Sequence, residues 1–202
     1  MPTLTVHPIG NYGKADFGGK PGEIVHASPY IMTNILRSIH HYTKKFSLTH
    51  KVCFEVTHHG PFLQVPTMYA EVGSTEDEWV KVKPAEIIAQ SILDELTSYF
   101  SDEKDLDIIP VLIGIGGGHY APRFTDVILE KKVSFGHMIP KYHLESGNSV
   151  DTMFEKALKF TPDAEGVYIH RKSLKKSQVS EYKKWFHDNG ISVVSSKELS
   201  DL

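Results

Sequence analysis

The sequence of 202 residues contains one cysteine, has no long apolar run and carries no excess of positive charge. The lone Cys53 cannot form an internal disulfide, which excludes a disulfide-stabilised fold and favours a reducing compartment. No stretch reaches the length of a membrane span, and the N-terminus lacks a basic segment followed by an apolar one. We therefore expect a cytoplasmic protein with no membrane partner. Because the net charge is −3, any contact with RNA must use a local basic patch.

Several catalytic signatures are also missing. In the glycine run from Gly114, His119 stands where a dinucleotide-binding fingerprint needs its third glycine, and no Lys-Ser/Thr pair follows to make a P-loop. The chain has no HExxH sequence, no paired CxxC and no Gly-x-Ser-x-Gly elbow. A serine or cysteine nucleophile is therefore disfavoured, and we expect any hydrolysis to use an activated water.

What the chain does contain is an alternation of apolar strands and amphipathic helices. Its composition, 40% apolar and 23% charged, is that of a globular protein, and its length favours a single domain over residues 1–202. Ser28-Pro29 marks the start of one helix, Pro84 opens another, and Asn189-Gly190 ends a third. This order predicts an α/β fold with a mixed, mostly parallel sheet.

The most informative segment is a glycine turn between a predicted strand at 108–113 and a helix at about 122–131. It contains Gly116, Gly117, Gly118 and His119. Glycines allow a backbone to turn its N–H groups towards a ligand, and α/β sheets usually place ligands where a strand ends and a helix begins. The alternative is a tight turn whose histidine only caps the helix.

Other polar clusters follow predicted strands, and the sequence has 12 histidines to supply them. The clusters are His7 with Asn11 and Lys14; Glu55 with Thr57, His58 and His59; Glu71 with Ser74; His119 with Tyr120 and Arg123; and His137 with Lys141, Tyr142 and His143. Because the carboxyl ends of parallel strands meet at one edge of a sheet, we expect these clusters to share a cleft. Zinc bound by imidazoles and a carboxylate, acid–base catalysis by a histidine oriented by Glu55 or Glu71, and a structural role for His58 all remain open.

Basic residues flank this predicted cleft and also form a run near the C-terminus. Lys14, Lys20, Arg123 and Lys141 lie beside the clusters. Six further basic residues lie between Arg171 and Lys184, where they either contact phosphates or form a solvated helix face.

Four segments together resemble one known family over nearly the whole chain, in order and in spacing. They are Gly10-Asn11-Tyr12-Gly13-Lys14-Ala15 with Gly18-Gly19-Lys20, Thr57-His58-His59-Gly60-Pro61, Gly116-Gly117-Gly118-His119-Tyr120-Ala121-Pro122, and Phe135-Gly136-His137 with Pro140-Lys141-Tyr142. The family is the archaeal and plant type of D-aminoacyl-tRNA deacylase. Its members generally carry a further N-terminal α/β segment, so the resemblance implies that this chain begins where that segment ends.

The resemblance implies an enzyme that cleaves the ester between a D-amino acid and the 3′ end of tRNA, releasing both. It also implies a three-layer α/β/α fold, like that of phosphorylases and peptidyl-tRNA hydrolases, and a zinc cofactor. We expect tRNA as the partner and a monomer as the working form. The competing hypotheses are a nucleoside phosphorylase-like or metallopeptidase-like hydrolase, and a non-catalytic tRNA-binding remnant.

The expected site combines this resemblance with the polar clusters. The expected catalytic residues are His58, His119, Glu55 and His137. The expected substrate-binding residues are His59, Gly116, Gly117, Gly118, Tyr120, Arg123, Lys141, Lys14 and Asn11. His58 or His119 would activate water directly or hold zinc. The glycine N–H groups would bind the oxyanion or the terminal phosphate, Arg123 and Lys141 would meet tRNA, and Tyr12, Tyr120 or Tyr142 would stack on bases.

Overall fold

The computed structural model describes residues 1–100 and 109–202. Its strands are β1 (Thr3–Pro8), β2 (Lys51–Phe54), β3 (Met68–Gly73), β4 (Val111–Ile115), β5 (Ser134–Ile139), β6 (Ala164–Ile169) and β7 (Ser192–Val194). Its α-helices are α1 (Pro29–Lys45), α2 (Glu76–Trp79), α3 (Val82–Tyr99), α4 (Pro122–Glu130), α5 (Lys141–Leu144), α6 (Val150–Lys159) and α7 (Lys176–Asp188), with a 3₁₀ turn at Arg171–Ser173. The predicted α/β class is confirmed. Ile108, the first residue of the predicted glycine-run strand, lies outside the described residues.

The described strands form two sheets rather than the one that we expected. In the first, β1 lies between β2, which runs parallel to it, and β3, which runs antiparallel. The second is parallel throughout, in the order β5-β4-β6-β7. The chain that follows β2 joins the two sheets, because the N–H of Thr57 donates to the carbonyl of Met138 at 3.0 Å.

Alternating side chains of the second sheet enter two different cores, which gives this sheet a helical layer on each face. Leu112 of β4 packs in the core that contains buried residues of α1 and α4. Its neighbour Ile113 packs in the other core, with Phe154 of α6 and Phe186 of α7. The three-layer arrangement therefore follows from the period of two along β4.

The glycine turn after β4 adopts a backbone conformation that residues other than glycine rarely adopt. Gly116 and Gly117 have φ values of +95° and +87°. A Cβ on Gly116 would lie 2.6 Å from the hydroxyl oxygen of Ser173. Pro122 then opens α4 as the sequence predicts, and the helix ends at Glu130. The turn therefore determines the position of His119 relative to the end of β4.

Among the described helices, none is both long enough and apolar enough to span a bilayer.

Candidate active site

A cleft of about 690 Å³ lies along the polar face of β1 and β3 and the segments that follow β2 and β4. It is lined by Thr3, Gly10, Asn11, Lys14, Asp16, Phe17, Glu55, His58, His59, Glu71, Val72, Gly73, Ser74, Trp79, His119, Tyr120, Tyr142 and His143. A cleft of this size accommodates a small organic ligand. Seven expected site residues from distant parts of the sequence therefore meet here: Asn11, Lys14, Glu55, His58, His59, His119 and Tyr120.

The alternation of side chains along β1 and β3 determines which of their residues face away from the hydrophobic core. In β1, Leu4 and Val6 point into the hydrophobic core, so His7 points to the opposite face. The antiparallel register sets His7 beside Tyr69 of β3, and Glu71 lies one step along the same face. The ring of His7 is fully buried, and its Nε2 lies 3.5 Å from Oε1 of Glu71.

Two backbone hydrogen bonds bring His119 to Glu55. The N–H of Val56 donates to the carbonyl of His119, and the N–H of Ala121 donates to the carbonyl of Phe54. They dock the segment after β2 against the glycine turn. His119 and Glu55 thereby become spatial neighbours although 64 positions separate their numbers in the sequence.

Glu55 is the centre of the cluster. One of its oxygens, Oε2, lies 3.0 Å from Nε2 of His119 and 3.2 Å from Nε2 of His58. Burial by itself would raise the pKa of this carboxyl group, but the hydrogen bonds from His119 and His58 hold the pKa well below its usual range. The hydrogen bond to Glu55 raises the pKa of His119 in turn. Glu55 is therefore an anion around which two imidazoles are arranged.

Backbone carbonyls fix the orientation of two histidine rings. Nδ1 of His58 lies 2.8 Å from the carbonyl oxygen of Val56, and Nδ1 of His7 lies 3.2 Å from that of Pro8. A carbonyl can only accept, so each Nδ1 carries the hydrogen and each Nε2 faces a carboxylate. An Nε2 lone pair directed at a carboxylate requires a proton or a metal cation between them.

His59 completes the group of rings and differs from its neighbours electrostatically. Its ring centroid lies 4.1 Å from that of His58 and 5.1 Å from that of His7. Burial, and after it the neighbouring imidazoles of His58 and His7, lower the pKa of His59 from 6.5 to about 4. At neutral pH His59 is therefore an uncharged ring that accepts a hydrogen bond or binds a metal.

The donors of this cluster suit zinc. His7, His58 and His59 offer ligand atoms that all lie within 4.8 Å of one another, and the same holds for Glu55, His58 and His119 and for His7, Glu55 and Glu71. Three imidazoles form a ligand set of catalytic zinc sites. Histidines that bind zinc usually donate their second N–H to a carbonyl or carboxylate, as His58 and His7 do here.

The loop between β1 and α1 forms the opposite wall. The N–H of Gly10 donates to the carbonyl of His59, and the side-chain amide of Asn11 donates to the carbonyl of Gly18 at 2.9 Å. Asn11 thus holds the loop closed, while Lys14 lines the cleft as we expected. Tyr12 is 4% exposed, so it cannot stack on a base from this position. Tyr142 and Tyr120 do line the cleft.

The structure does not bring His137 into the cleft. Its ring is completely buried in β5. Nε2 donates to the carbonyl of Val25 at 2.8 Å, and Nδ1 accepts from the hydroxyl of Thr57 at 3.0 Å. That hydroxyl in turn accepts from the N–H of Met138. With both nitrogens bonded inside the protein, His137 has the surroundings of a structural residue.

The glycine turn supplies fewer N–H donors than we expected. The N–H of Gly116 donates to the carbonyl of Ile139 and that of Gly117 to the hydroxyl of Ser173, both at 2.8 Å. These two groups are therefore occupied. Gly118 is exposed, and within residues 1–100 and 109–202 its N–H has no hydrogen-bond partner.

Two expected cations also lie outside the cleft. Arg123 points to another hollow, where it donates to the hydroxyl of Tyr168. Lys141 lies 3.7 Å from Glu145 on the surface of α5. Each follows its strand as the sequence predicts, but the direction of the helix that carries it turns the side chain away.

Glu71, Trp79 and Phe17 line the cleft, and the buried His7 contacts Glu71, although none of these four was among the expected catalytic or substrate-binding residues. His7 and Glu71 stand in the polar clusters noted above, but only the antiparallel pairing of β3 shows that they are partners. Trp79 and Phe17 are 60% and 82% exposed and line the cleft. Their exposure, which the sequence does not reveal, is what makes them available to a ligand.

The comparisons with known proteins agree on one family. A family model described as D-aminoacyl-tRNA deacylase matches residues 1–194. The chain belongs to the D-aminoacyl-tRNA deacylase family. It is 38% identical over 201 residues to a D-aminoacyl-tRNA deacylase of Methanosarcina acetivorans, covering 98% of this chain and 64% of that relative. It is 40% identical over 170 residues to one of Pyrococcus horikoshii, covering 84% and 59% of the two chains.

The fold has a solved counterpart as well. The crystal structure of a conserved protein of unknown function, AF0625, matches with a TM-score of 0.84 and 34% identity, covering 98% of this chain and 67% of that one. The chain thus spans less than two thirds of the length of the two curated relatives named above. The resemblance seen in the sequence is confirmed at the level of family and fold.

Proposed function

We propose that this chain hydrolyses the ester bond of D-aminoacyl-tRNA, releasing tRNA and a D-amino acid. The observation that carries the proposal is the buried Glu55 carboxylate in the cleft, one oxygen of which faces both His58 and His119. Family membership supplies the substrate class. Because that substrate is a tRNA, we place the activity in the cytoplasm. The monomeric state and the single-domain organisation stay predictions.

We propose that zinc is held by His7, His58 and His59, whose ligand atoms all lie within 4.8 Å of one another. When bound, zinc lowers the pKa of a coordinated water and so supplies a nucleophile at neutral pH. Of the two histidines first expected to bind metal, His58 keeps that role, because Val56 fixes its tautomer. His119 receives a different one, since its side chain is 45% exposed at the cleft wall.

His119 moves the proton in this proposal. Its Nε2 donates to Glu55, whose negative charge stabilises the imidazolium that forms when Nδ1 takes a proton from a water. The same imidazolium can then return the proton to the ribose oxygen that leaves. Gly118 stands one residue away and is the candidate donor to the oxyanion, in place of Gly116 and Gly117.

The remaining walls of the cleft carry side chains that can bind the terminal adenosine and the amino acid of the substrate. Trp79, Phe17 and Tyr142 offer exposed ring surface to the terminal adenine, since single-stranded RNA is commonly recognised by stacking. Lys14 and Asp16 line the same wall with charges of opposite sign, which can meet the phosphate and the amino group of the substrate. The volume of about 690 Å³ is large enough for an aminoacyl-adenosine.

The test is hydrolysis of matched D- and L-tyrosyl-tRNA by the purified protein, with and without a chelator. We expect selective release of D-tyrosine, loss of that activity on chelation and its return with zinc. His119→Ala should lower turnover by about 100-fold or more, whereas His187→Ala, a change to an exposed histidine on α7, should have no effect. Activity that survives chelation would contradict the zinc assignment. Salt-sensitive tRNA binding without turnover would favour the non-catalytic remnant.

A further inference from the structure

A second hollow, of about 540 Å³, lies at the carboxyl ends of β6 and β7. Four cations line it: Arg123, Arg171, Lys183 and Lys197. Among the described residues Glu198 is its one carboxylate, and the N–H and hydroxyl of Ser195 both donate to that carboxylate. Four positive groups against one negative group contrast with a chain whose net charge is −3. The hollow is therefore a local basic patch of the kind that an acidic protein needs in order to bind RNA.

The hollow is built around a rigidly held guanidinium. Nε of Arg123 donates to the hydroxyl of Tyr168 at 2.9 Å, and Nη2 donates to Ser196 Oγ at 2.5 Å. The Tyr168 and Ser196 oxygens are 2.9 Å apart, which closes a triangle of hydrogen bonds, and Tyr168 is only 6% exposed. In the described part of the chain Nη1 of Arg123 makes no hydrogen bond, so its two N–H groups are available to an anion.

The other cations are not neutralised by ion pairs. Within the residues that the structure describes, Arg123, Arg171 and Lys197 take part in no salt bridge, and Arg171 and Lys197 are exposed. A fixed planar guanidinium flanked by exposed cations suits the binding of phosphate groups. This differs from a solvated helix face, because the four cations come from four separate segments.

We propose that this hollow binds backbone phosphates of the tRNA near its 3′ end; the inference rests on the proposed function. Arg123 and His119 are four residues apart, so their Cα atoms are at most about 15 Å from each other. A nucleic acid whose terminal ester lies in the cleft can thus reach the hollow within a few nucleotides.

The double variant Arg171→Gln with Lys197→Gln tests this assignment, since both side chains are exposed and removing them leaves the core intact. We expect weaker binding of deacylated tRNA and a slope of log affinity against log salt that is smaller by about 1.5 to 2. We also expect kcat/KM for D-tyrosyl-tRNA to fall about tenfold relative to that for D-tyrosyl-adenosine, which has no phosphate. The matched control is Lys44→Gln with Lys51→Gln, near the start of β2.

The possible outcomes separate this inference from the proposed function. If the variant binds tRNA with the affinity and salt slope of the wild type, the hollow is not a phosphate site. An equal loss on D-tyrosyl-adenosine and D-tyrosyl-tRNA would also overturn it, because the effect would then not depend on phosphate. If the wild type cleaves neither ester, the proposed function fails, while the binding measurement still decides whether the hollow holds tRNA.

Discussion

Replacing His137 with glutamine should remove much of the acid sensitivity of the fold. The buried ring donates to Val25 and accepts from Thr57, and burial lowers its pKa from 6.5 to about 4. Between these values the unfolded chain binds a proton at His137 and the folded chain does not. The contribution of His137 to stability is thus complete above pH 6.5 and decreases as the pH falls towards 4. At ~1.4 kcal/mol per pKa unit, the loss is about 2 kcal/mol at pH 5 and about 3 kcal/mol at pH 4.

The assay is urea unfolding of the wild type and of His137→Gln at pH 7.5 and pH 5. Glutamine can still donate to Val25 but does not titrate, so the difference in unfolding free energy between the two pH values should shrink by about 2 kcal/mol. His187→Gln is the control, because the side chain of His187 is 90% exposed. An unchanged pH dependence in His137→Gln would refute the argument. If the folded variant lost its activity at pH 7.5, a structural role alone would not suffice.

Three other changes probe the core, the zinc assignment and the second hollow. Gly136→Ala should destabilise the fold by about 1–3 kcal/mol in urea unfolding, because its Cβ would lie 2.2 Å from a buried threonine side chain; a neutral effect would contradict the packing. Zinc at 100 times its dissociation constant should stabilise the wild type and His119→Ala by about 2.7 kcal/mol, but not His58→Ala. Equal stabilisation of both variants in thermal unfolding would remove His58 from the ligands. Tyr168→Phe should lower the free energy of unfolding by about 1–2 kcal/mol, because Arg123 loses the hydroxyl to which it donates. No change in that free energy would mean that this hydrogen bond is not formed in solution.

Local sequence signals were sufficient for the elements and for the core of the cleft. Pro122 and Pro29 mark helix starts because proline fits the first helical position. Glu55, His58 and His119 were expected together because polar residues at the ends of parallel strands converge. The structure brings these three within hydrogen-bond distance, through the backbone hydrogen bonds that dock the segment after β2 against the glycine turn.

Other parts of the site depend on tertiary geometry that no local pattern encodes. The pairing of His7 with Glu71 needs the antiparallel direction of β3, and nothing in the sequence of β3 states that direction. The N–H of Gly117 is occupied by Ser173, which approaches from a segment more than 50 residues away. Arg123 occupies the second position of α4, and the packing of that helix turns it towards Tyr168 instead of the cleft.

The most direct test of the central claim is the single-turnover hydrolysis of D-tyrosyl-tRNA by Glu55→Gln. Glutamine keeps the size of the side chain but removes the charge that His58 and His119 share. We predict a fall in rate of about 100-fold or more, with the wild-type rate retained by Glu165→Gln, an exposed change in β6. A Glu55→Gln rate within about threefold of the wild type would show that this cluster does not carry the reaction.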